Sequence, residues 1–342
     1  MQTLEIKGSA RKSTLLVGES IENLPAYIPA EKTIIITDTN VKALYGHRFP
    51  KCPVVTIGTG EKIKTLETVN RIFKNLVEME VDRSAFILAI GGGIVCDIAG
   101  FVSSTYLRGI RFGFAATSLL AQVDASVGGK NGVNFSGYKN MVGVFNQPEF
   151  VICDMHLLKT LPQKEIHCGF GEIIKHAAIA DGGMMETLKT DREKALSLDH
   201  AVMEQLVHKS VVIKSTVVNR DEKEQGERRI LNFGHTFGHA YEKIYQVSHG
   251  EAVAMGMVVA VKLSVKSGLL SVDDCTTLIN LIESYRLPTK LPVDSVLLMD
   301  AIKRDKKRDG HRIHFILLDR LGHAVIRDYD ISDIQRDLEA LP

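Results

Sequence analysis

The residues best suited to chemistry lie between Asn232 and Glu251, in the run Asn232-Phe-Gly-His235-Thr-Phe-Gly-His239-Ala-Tyr-Glu242 and the later His249-Gly-Glu251. His235 and His239 are spaced i, i+4, close enough on a helix to share one metal ion. His249 follows a short loop and starts the next helix. Three histidines within fifteen positions, flanked by glycines, read as a site more readily than as separate core or surface residues. Imidazole with carboxylate suits zinc with an open coordination position. HExxH is absent, which disfavours a zincin protease. Spacing alone does not choose which two of the three histidines bind metal. Glu172, in Gly169-Phe-Gly-Glu172-Ile-Ile-Lys175-His176, is the best carboxylate donor. It shares a helix face with Lys175, and by itself that pair reads as an ordinary helical ion pair.

Two further stretches suit anionic ligands. Phe86–Ile90 reads as a strand that runs into Gly91-Gly92-Gly93 and opens a helix. Glycines allow close backbone approach to a pyrophosphate, and a helix N-terminus offers free N–H groups. The motif is not GxGxxG, and alone it reads equally as a tight turn. The second stretch, Gln122-Val-Asp-Ala-Ser-Val-Gly-Gly-Lys130-Asn-Gly-Val-Asn134 with Lys139-Asn140, sets lysines beside glycines, a pattern that suits phosphate or carboxylate. The alternative is a polar surface loop. The charged run Arg304–Asp309 reads as a solvated helix end.

These groups need a scaffold. Strands are predicted at Leu4–Ile6, Thr14–Val17, Thr33–Asp38, Val54–Ile57, Phe86–Ile90, Phe112–Ala115 and Phe150–Cys153. Helices are predicted from Leu66 to Met79 and from Ile94 to about Tyr106. Strand, loop and helix in this order predict a parallel sheet with crossover helices. After Pro162 the spacing turns helical, at Lys164–Ala180, Ala201–Asn219, His235–Tyr245, Glu251–Ser267 and Thr276–Tyr285. A hairpin, Ile313–Leu318 with Ala324–Arg327, is the exception. The chain therefore reads as an α/β N-terminal domain, residues 1–160, and a mostly α-helical C-terminal domain, residues 161–342.

Composition narrows the function. Lys plus Arg is 42 and Asp plus Glu is 41, so no global charge draws the protein to nucleic acid or an anionic membrane. The longest apolar run, Ala252 to Val261, spans ten residues, where a transmembrane helix needs about 20. The N-terminal residues lack a signal-peptide core. The five cysteines are scattered, without a CxxC pair, and read as reduced thiols. A cytoplasmic enzyme is the expectation.

The ordered set GGGxxxD, TYLRG, QVDASVGGKxGVN, KN, GFxExIK, NFGHTFGHA and HGEAVAMGM resembles 3-dehydroquinate synthases, members of the sugar-phosphate cyclases, from Asp38 to about Lys307. The resemblance implies a Rossmann-like N-terminal domain, a helical C-terminal domain and an active site in the cleft between them. It also implies tightly held NAD, one zinc or cobalt ion, and a homodimer. By position it implies Glu172, His235 and His249 as metal ligands, with His239 facing the substrate. NAD contacts would be Asp38, Asn40, Glu61, Lys64, Gly93, Ile94, Val95, Cys96, Asp97, Thr117, Ser118, Lys130, Lys139, Leu157, Leu158, Lys159 and Thr160. Catalytic and substrate contacts would be Asp124, Lys130, Asn140, Lys175, Lys214, Arg228, Asn232, His239 and Lys306. Arg108 of TYLRG would reach the partner subunit's site. Departures from the usual pattern are Cys96 for glycine, Asn131 for threonine or alanine, His176 for tyrosine, and Ser118 for a second threonine.

The reaction implied converts 3-deoxy-D-arabino-heptulosonate 7-phosphate to 3-dehydroquinate and phosphate, a step of the shikimate pathway to aromatic amino acids. NAD transiently oxidises a ring hydroxyl that the metal polarises. Phosphate leaves by β-elimination, the hydride returns, and ring opening and aldol closure follow. Lysines and Arg228 would hold the carboxylate and phosphate of this phosphorylated sugar acid. Alternatives are another sugar-phosphate cyclase and a metal-dependent alcohol or glycerol dehydrogenase, which needs no cation cluster for phosphate. A non-catalytic NAD-binding regulator would not need the histidines with Glu172.

Overall fold

Thr33–Asp38 and Phe86–Gly91 are almost wholly buried, β-branched-rich runs, the pattern expected of central strands covered on both faces. The computed structural model describes residues 1–8, 12–290, 298–299, 308–309 and 312–339. It divides into two compact units, Met1–Pro162 with Met203–Lys223, and Gln163–Val202 with Glu224–Pro342. The segment Met203–Lys223 therefore clusters with the first unit although it lies late in the chain.

In the first unit the strands are β1 (Gln2–Lys7), β2 (Lys12–Val17), β3 (Thr33–Asp38), β4 (Val54–Ile57), β5 (Phe86–Gly91), β6 (Arg111–Ala116), β7 (Lys130–Phe135), β8 (Tyr138–Phe145) and β9 (Phe150–Cys153). Seven of them form one sheet in the order β1-β2-β9-β6-β5-β3-β4. β1 runs antiparallel to β2, and all other neighbours are parallel. From β3 the chain steps outward to β4, then returns to the other side of β3 as β5 and continues to β6. The carboxyl ends of β3 and β5, at Asp38 and Gly91, therefore flank a topological switch point, where doubly wound sheets bind ligands.

The helices α1 (Thr39–Tyr45), α2 (Leu66–Glu78) and α3 (Gly93–Thr105) follow β3, β4 and β5. Asp38 caps α1, its Oδ1 accepting from the Asn40 and Val41 amides, and Thr65 caps α2. Leu16, Ile35, Phe86, Leu88, Ile90, Phe150 and Ile152 of the sheet form a buried core with Val41 and Tyr45 of α1.

The polar stretch after Gln122 differs from a simple loop. Ala121–Ala125 form one wide, π-type turn, and residues 130–145 form the antiparallel hairpin β7–β8. Gly132 and Gly143 face each other there, and a Cβ on either would sit 2.6 Å from the opposite strand's carbonyl. α3 lies against β7 at Gly100, whose Cβ would fall 1.9 Å from Asn131 Oδ1. Only Asn131, Gly132 and Val133 are buried in β7, so the strand carries too few inward apolar residues to read as one.

Helices α4 (Gln163–Ala180), α5 (Gly182–Thr190), α6 (Arg192–Leu196), α7 (His200–Arg220), α8 (His235–Tyr245), α9 (His249–Lys266) and α10 (Val272–Ser284) follow. Next come the short β10 (Arg308–Asp309), the hairpin strands β11 (Arg312–Arg320) and β12 (His323–Asp330), and α11 (Ile331–Glu339). The hairpin was expected, and is longer at both ends. α5, α6 and α11 are short helices outside the predicted set, although Ile331, Ile334 and Leu338 of α11 stand at helical spacing. α9 begins at His249, as expected from its place after the short loop and two residues ahead of the Glu251–Ser267 spacing, and Ser248 and Glu251 form a reciprocal capping box there. Phe237, Tyr241, Met255, Val259, Phe315 and Leu317 make the core of α8, α9 and β11. Among the described residues no helix is long and apolar enough to cross a membrane.

The α8–α9 contact is made at backbone distance. A Cβ on Gly256 would fall 1.8 Å from the Gly234 carbonyl oxygen, and one on Gly238 would fall 3.0 Å from that of Ala252. Gly234 itself adopts φ +78°, a conformation that favours glycine. Gly256→Ala therefore overpacks this seam and should lower the unfolding free energy by about 1–3 kcal/mol or more in urea titration. Unchanged stability would mean that the seam is looser than described.

Candidate active site

Three helices of the second unit converge on one carboxylate. Glu172 comes from α4, His235 from the first position of α8, and His249 from the first position of α9. Glu172 Oε1 lies 2.9 Å from His249 Nε2 and 3.5 Å from His235 Nε2. One potential ligand atom from each residue lies within 4.8 Å of the others. The approach of α4 to α9 is again set by glycine, because a Cβ on Gly250 would fall 2.3 Å from the Cys168 carbonyl oxygen. Cys168 Sγ also accepts from the Gly250 amide at 3.1 Å, which ties the start of α9 to α4.

The electrostatics suit a cation. Burial would raise the Glu172 carboxyl, but the charge of Lys175 first, and then His249 through its hydrogen bond and charge, hold it well below the usual carboxylate range. Lys175 forms a buried ion pair with it one helical turn away. Burial keeps the His235 imidazole well below its ordinary value despite Glu172. Burial acts the same way on His249, but Glu172 and Glu242 override it and push that imidazole up to about 10. The cluster therefore holds an ionised carboxylate, a neutral imidazole and a protonated one. His235 Nδ1 lies 3.2 Å from the Phe233 carbonyl oxygen, which can only accept. The proton of neutral His235 thus sits on Nδ1, and Nε2 offers its lone pair.

The other residues singled out in this unit lie close by in sequence. His239 is exposed, with its ring centroid 5.4 Å from that of His235, and stands outside the three-residue cluster. Arg228 is buried, on the 3-10 turn Glu227–Asn232. Asn232, at the end of that turn, donates to Glu224. Lys306 lies outside the described residues, as do most of the charged run around it.

In the first unit the residues gather at the carboxyl ends of the strands. Asp38 uses only Oδ1 to cap α1, and Asn40 beside it is exposed. Lys64 is buried and donates to Asp97 Oδ2 at 2.5 Å and to Asn140. Glu61 Oε1 accepts from Asn134 Nδ2 at 2.7 Å, and Asn134 Oδ1 accepts from the Asn140 amide at 2.9 Å. Asn134 thereby joins two groups singled out from sequence and was itself not singled out. Its signal was its place closing the GGKxGVN run. Lys214 of α7 donates to Asp124 Oδ1 at 2.6 Å. The Thr117 amide donates to the Gly91 carbonyl at 2.9 Å, which holds the ends of β5 and β6 together. Val95 and Cys96 turn their side chains into the core, so only their backbone is placed to meet a ligand. Leu157 and Leu158 are buried in the turn Met155–Thr160, whereas Lys159 and Thr160 are exposed. Lys130 and Lys139 are exposed, and Arg108 sits at φ +66° in an exposed turn after α3.

Burial pushes the Asp97 carboxyl up to about 6, against the pull of Lys64. A carboxyl raised on folding contributes stability below its unfolded value near 4, and that contribution is lost as pH rises through 6. Between about pH 4 and pH 7 the wild type should lose about 2 kcal/mol of stability relative to Asp97→Asn. Parallel denaturant titrations of both proteins read this difference, and a difference independent of pH would contradict it. For the histidine cluster, His235→Ala and His249→Ala should each lose bound Zn²⁺ in metal analysis, while His239→Ala keeps it. Loss in His239→Ala and retention in His249→Ala would reverse the ligand assignment.

Two family profiles match the chain. The one described as 3-dehydroquinate synthase N-terminal matches residues 54–168, and the one described as 3-dehydroquinate synthase C-terminal matches residues 169–308. The 3-dehydroquinate synthase of Dehalococcoides mccartyi is 39% identical over 344 residues, covering 96% of either chain. Among solved structures, 2-deoxy-scyllo-inosose synthase in complex with carbaglucose-6-phosphate, NAD+ and Co2+ superposes with a TM-score of 0.87 at 26% identity, over 98% of this chain and 99% of that one. The 2-epi-5-epi-valiolone synthase of Streptomyces hygroscopicus, with NAD+ and Zn2+ bound, shares the fold with a TM-score of 0.88 at 24% identity, over 100% of this chain and 98% of that one.

Proposed function

The chain belongs to the 3-dehydroquinate synthase family, and we propose that it carries out that family's reaction with a metal held by Glu172, His235 and His249. The activity is conversion of 3-deoxy-D-arabino-heptulosonate 7-phosphate to 3-dehydroquinate and phosphate. The observation that carries this reading is the cluster itself: a buried, ionised carboxylate between two imidazoles on three helices. The dehydrogenase alternative is not favoured, since the family profiles together run from residue 54 to 308.

The donor set fits a divalent cation. Two nitrogens and one carboxylate oxygen, each on a separate helix, satisfy zinc and leave a position for substrate oxygens. Cobalt accepts the same donors. The glycine turn fits a dinucleotide. The α3 N-terminus has no side-chain cap, and Gly92 and Gly93 leave room that a Cβ would fill, 3.3 Å from Ser118 Oγ and 2.9 Å from Ala125 Cβ. Asp38, with Oδ2 outside its capping bonds, is a suitable hydroxyl acceptor for the cofactor.

When bound, the metal supplies Lewis acidity at a substrate oxygen and NAD supplies a hydride acceptor that is restored within the turnover. The protein's own groups do the rest. Lys175 keeps Glu172 ionised and anchored, so the carboxylate remains a ligand. Lys64 orients Asp97 and Asn140 beside the glycine turn. Lys214 fixes Asp124 through both its carboxylate and its backbone carbonyl. Arg228, Lys130, Lys175, Lys214 and Lys306 are the cations assigned to the substrate's carboxylate and phosphate, with Asn140, Asn232 and His239 as further hydrogen-bonding partners. We assign residues 1–160 to NAD and 161–342 to metal and substrate, with a homodimer in which Arg108 reaches the partner subunit's site. The cytoplasm is the assigned compartment.

The direct assay is phosphate release from the heptulosonate substrate with NAD and Zn²⁺ or Co²⁺. Phosphate should accumulate without net NADH, and NADH rising in step with product would support a dehydrogenase instead. Arg228→Ala removes a buried charged partner, which costs roughly 2–5 kcal/mol at such sites. kcat/KM should therefore fall by about 30-fold to several thousand-fold, with NAD affinity nearly unchanged. A loss under about threefold would return Arg228 to a structural role.

A further inference from the structure

His249 has two ring nitrogens, and the fold gives each a carboxylate. Nε2 lies 2.9 Å from Glu172 Oε1, while Nδ1 lies 4.0 Å from Glu242 Oε2. Glu242 stands on α8, seven residues after His235, so both occupy one helix face two turns apart. A single helix thus supplies one ligand of the cluster and the carboxylate behind another. The Glu242 side chain is 14% exposed, and its distance from His249 is governed by the glycine seam of α8 and α9. At Gly238 and Gly256 that seam is already at backbone contact, so the approach of Glu242 is a property of the helix pair.

We infer that Glu242 is a positioning residue for the metal centre, holding the Nδ1–H of His249 so that Nε2 presents its lone pair beside Glu172 and His235. The inference rests on the reading of those three residues as metal ligands and adds a group outside them. A metal-binding imidazole whose second N–H bonds a carboxylate is fixed in tautomer and ring orientation and is a more basic ligand. A movement of about 1 Å by the Glu242 carboxylate brings the pair into hydrogen-bond range. His235 has its own device, with Nδ1 facing the Phe233 carbonyl. The two histidines are thereby held by different acceptors, a neutral backbone oxygen and a charged side chain. Glu172 can then serve the ion, because the orientation of His249 does not depend on it.

The test uses the metal-stripped full chain, with Zn²⁺ affinity read by chelator competition and ligand geometry by the visible spectrum of bound Co²⁺. Glu242→Ala should weaken Zn²⁺ binding about 10- to 100-fold and alter the Co²⁺ bands. Glu242→Gln, which keeps an acceptor and loses the charge, should fall between wild type and alanine. A merely structural role would lower the denaturant stability of the stripped variants and leave affinity and spectrum alone. Should the alanine variant not fold, the glutamine variant carries the comparison. Both variants within about threefold of wild type, the scale of a neutral surface change, with the wild-type Co²⁺ spectrum, would overturn the inference. If wild type binds Zn²⁺ and His235→Ala does not, that result removes Glu242 alone. If wild type binds no Zn²⁺, the metal centre falls with it.

Discussion

Glu172 has no exposed surface, and a bare carboxylate in that position would be strongly unfavourable. The second unit is arranged around meeting that constraint. Lys175 answers the charge from the same helix, and His249 answers it from the start of α9. His235, also within reach, stays neutral, because burial outweighs the carboxylate's pull. A cation at the proposed centre would take the place of the positive charge on His249, because ligand groups give up protons when metal binds. Helix spacing makes this possible. Gly250 against Cys168, and Gly256 against Gly234, let three helices approach until Glu172, midway along α4, meets the first residues of α8 and α9. Any side chain at those glycines would push His249 and His235 away from Glu172.

The first unit meets a different constraint. A parallel sheet must reverse its winding somewhere, and here it does so between β3 and β5. Two loops part at that point, and the groups around them are those that fit an anionic ligand: an uncapped helix start, glycines, and the Lys64–Asp97–Asn140 cluster. Asp97 is raised by burial and only partly relieved by Lys64, so the cluster is less stable than its short contacts suggest. That is the behaviour expected where a site is built for a ligand instead of for stability.

Much of this was legible in the sequence because the signals are local. The runs Thr33–Asp38 and Phe86–Ile90 are too apolar for edge strands, and both are central. The spacing of His235, His239 and His249 pointed to a metal, though it could not choose among them; the choice came from the resemblance. In the structure His239 lies one turn further along α8 and is exposed, while His249 is carried back to Glu172 by the packing of α9. Long-range information of that kind is absent from spacing. The β7–β8 hairpin was missed because its inward residues are mostly asparagine and glycine. Asn134 closes the GGKxGVN run, but its partners Glu61 and Asn140 are set by tertiary structure, which spacing does not show. Ser248 and Glu251, by contrast, spell a capping box that agrees with His249 as the first residue of α9.

The central claim is that one buried carboxylate and two imidazoles form the metal centre of a 3-dehydroquinate synthase. Anomalous diffraction at the zinc edge, from crystals of the zinc-loaded chain, tests it most directly. The account predicts one peak bonded at about 2.0–2.2 Å to a Glu172 oxygen, His235 Nε2 and His249 Nε2. A peak bound through His239 in place of His249, or none among these residues, would contradict it.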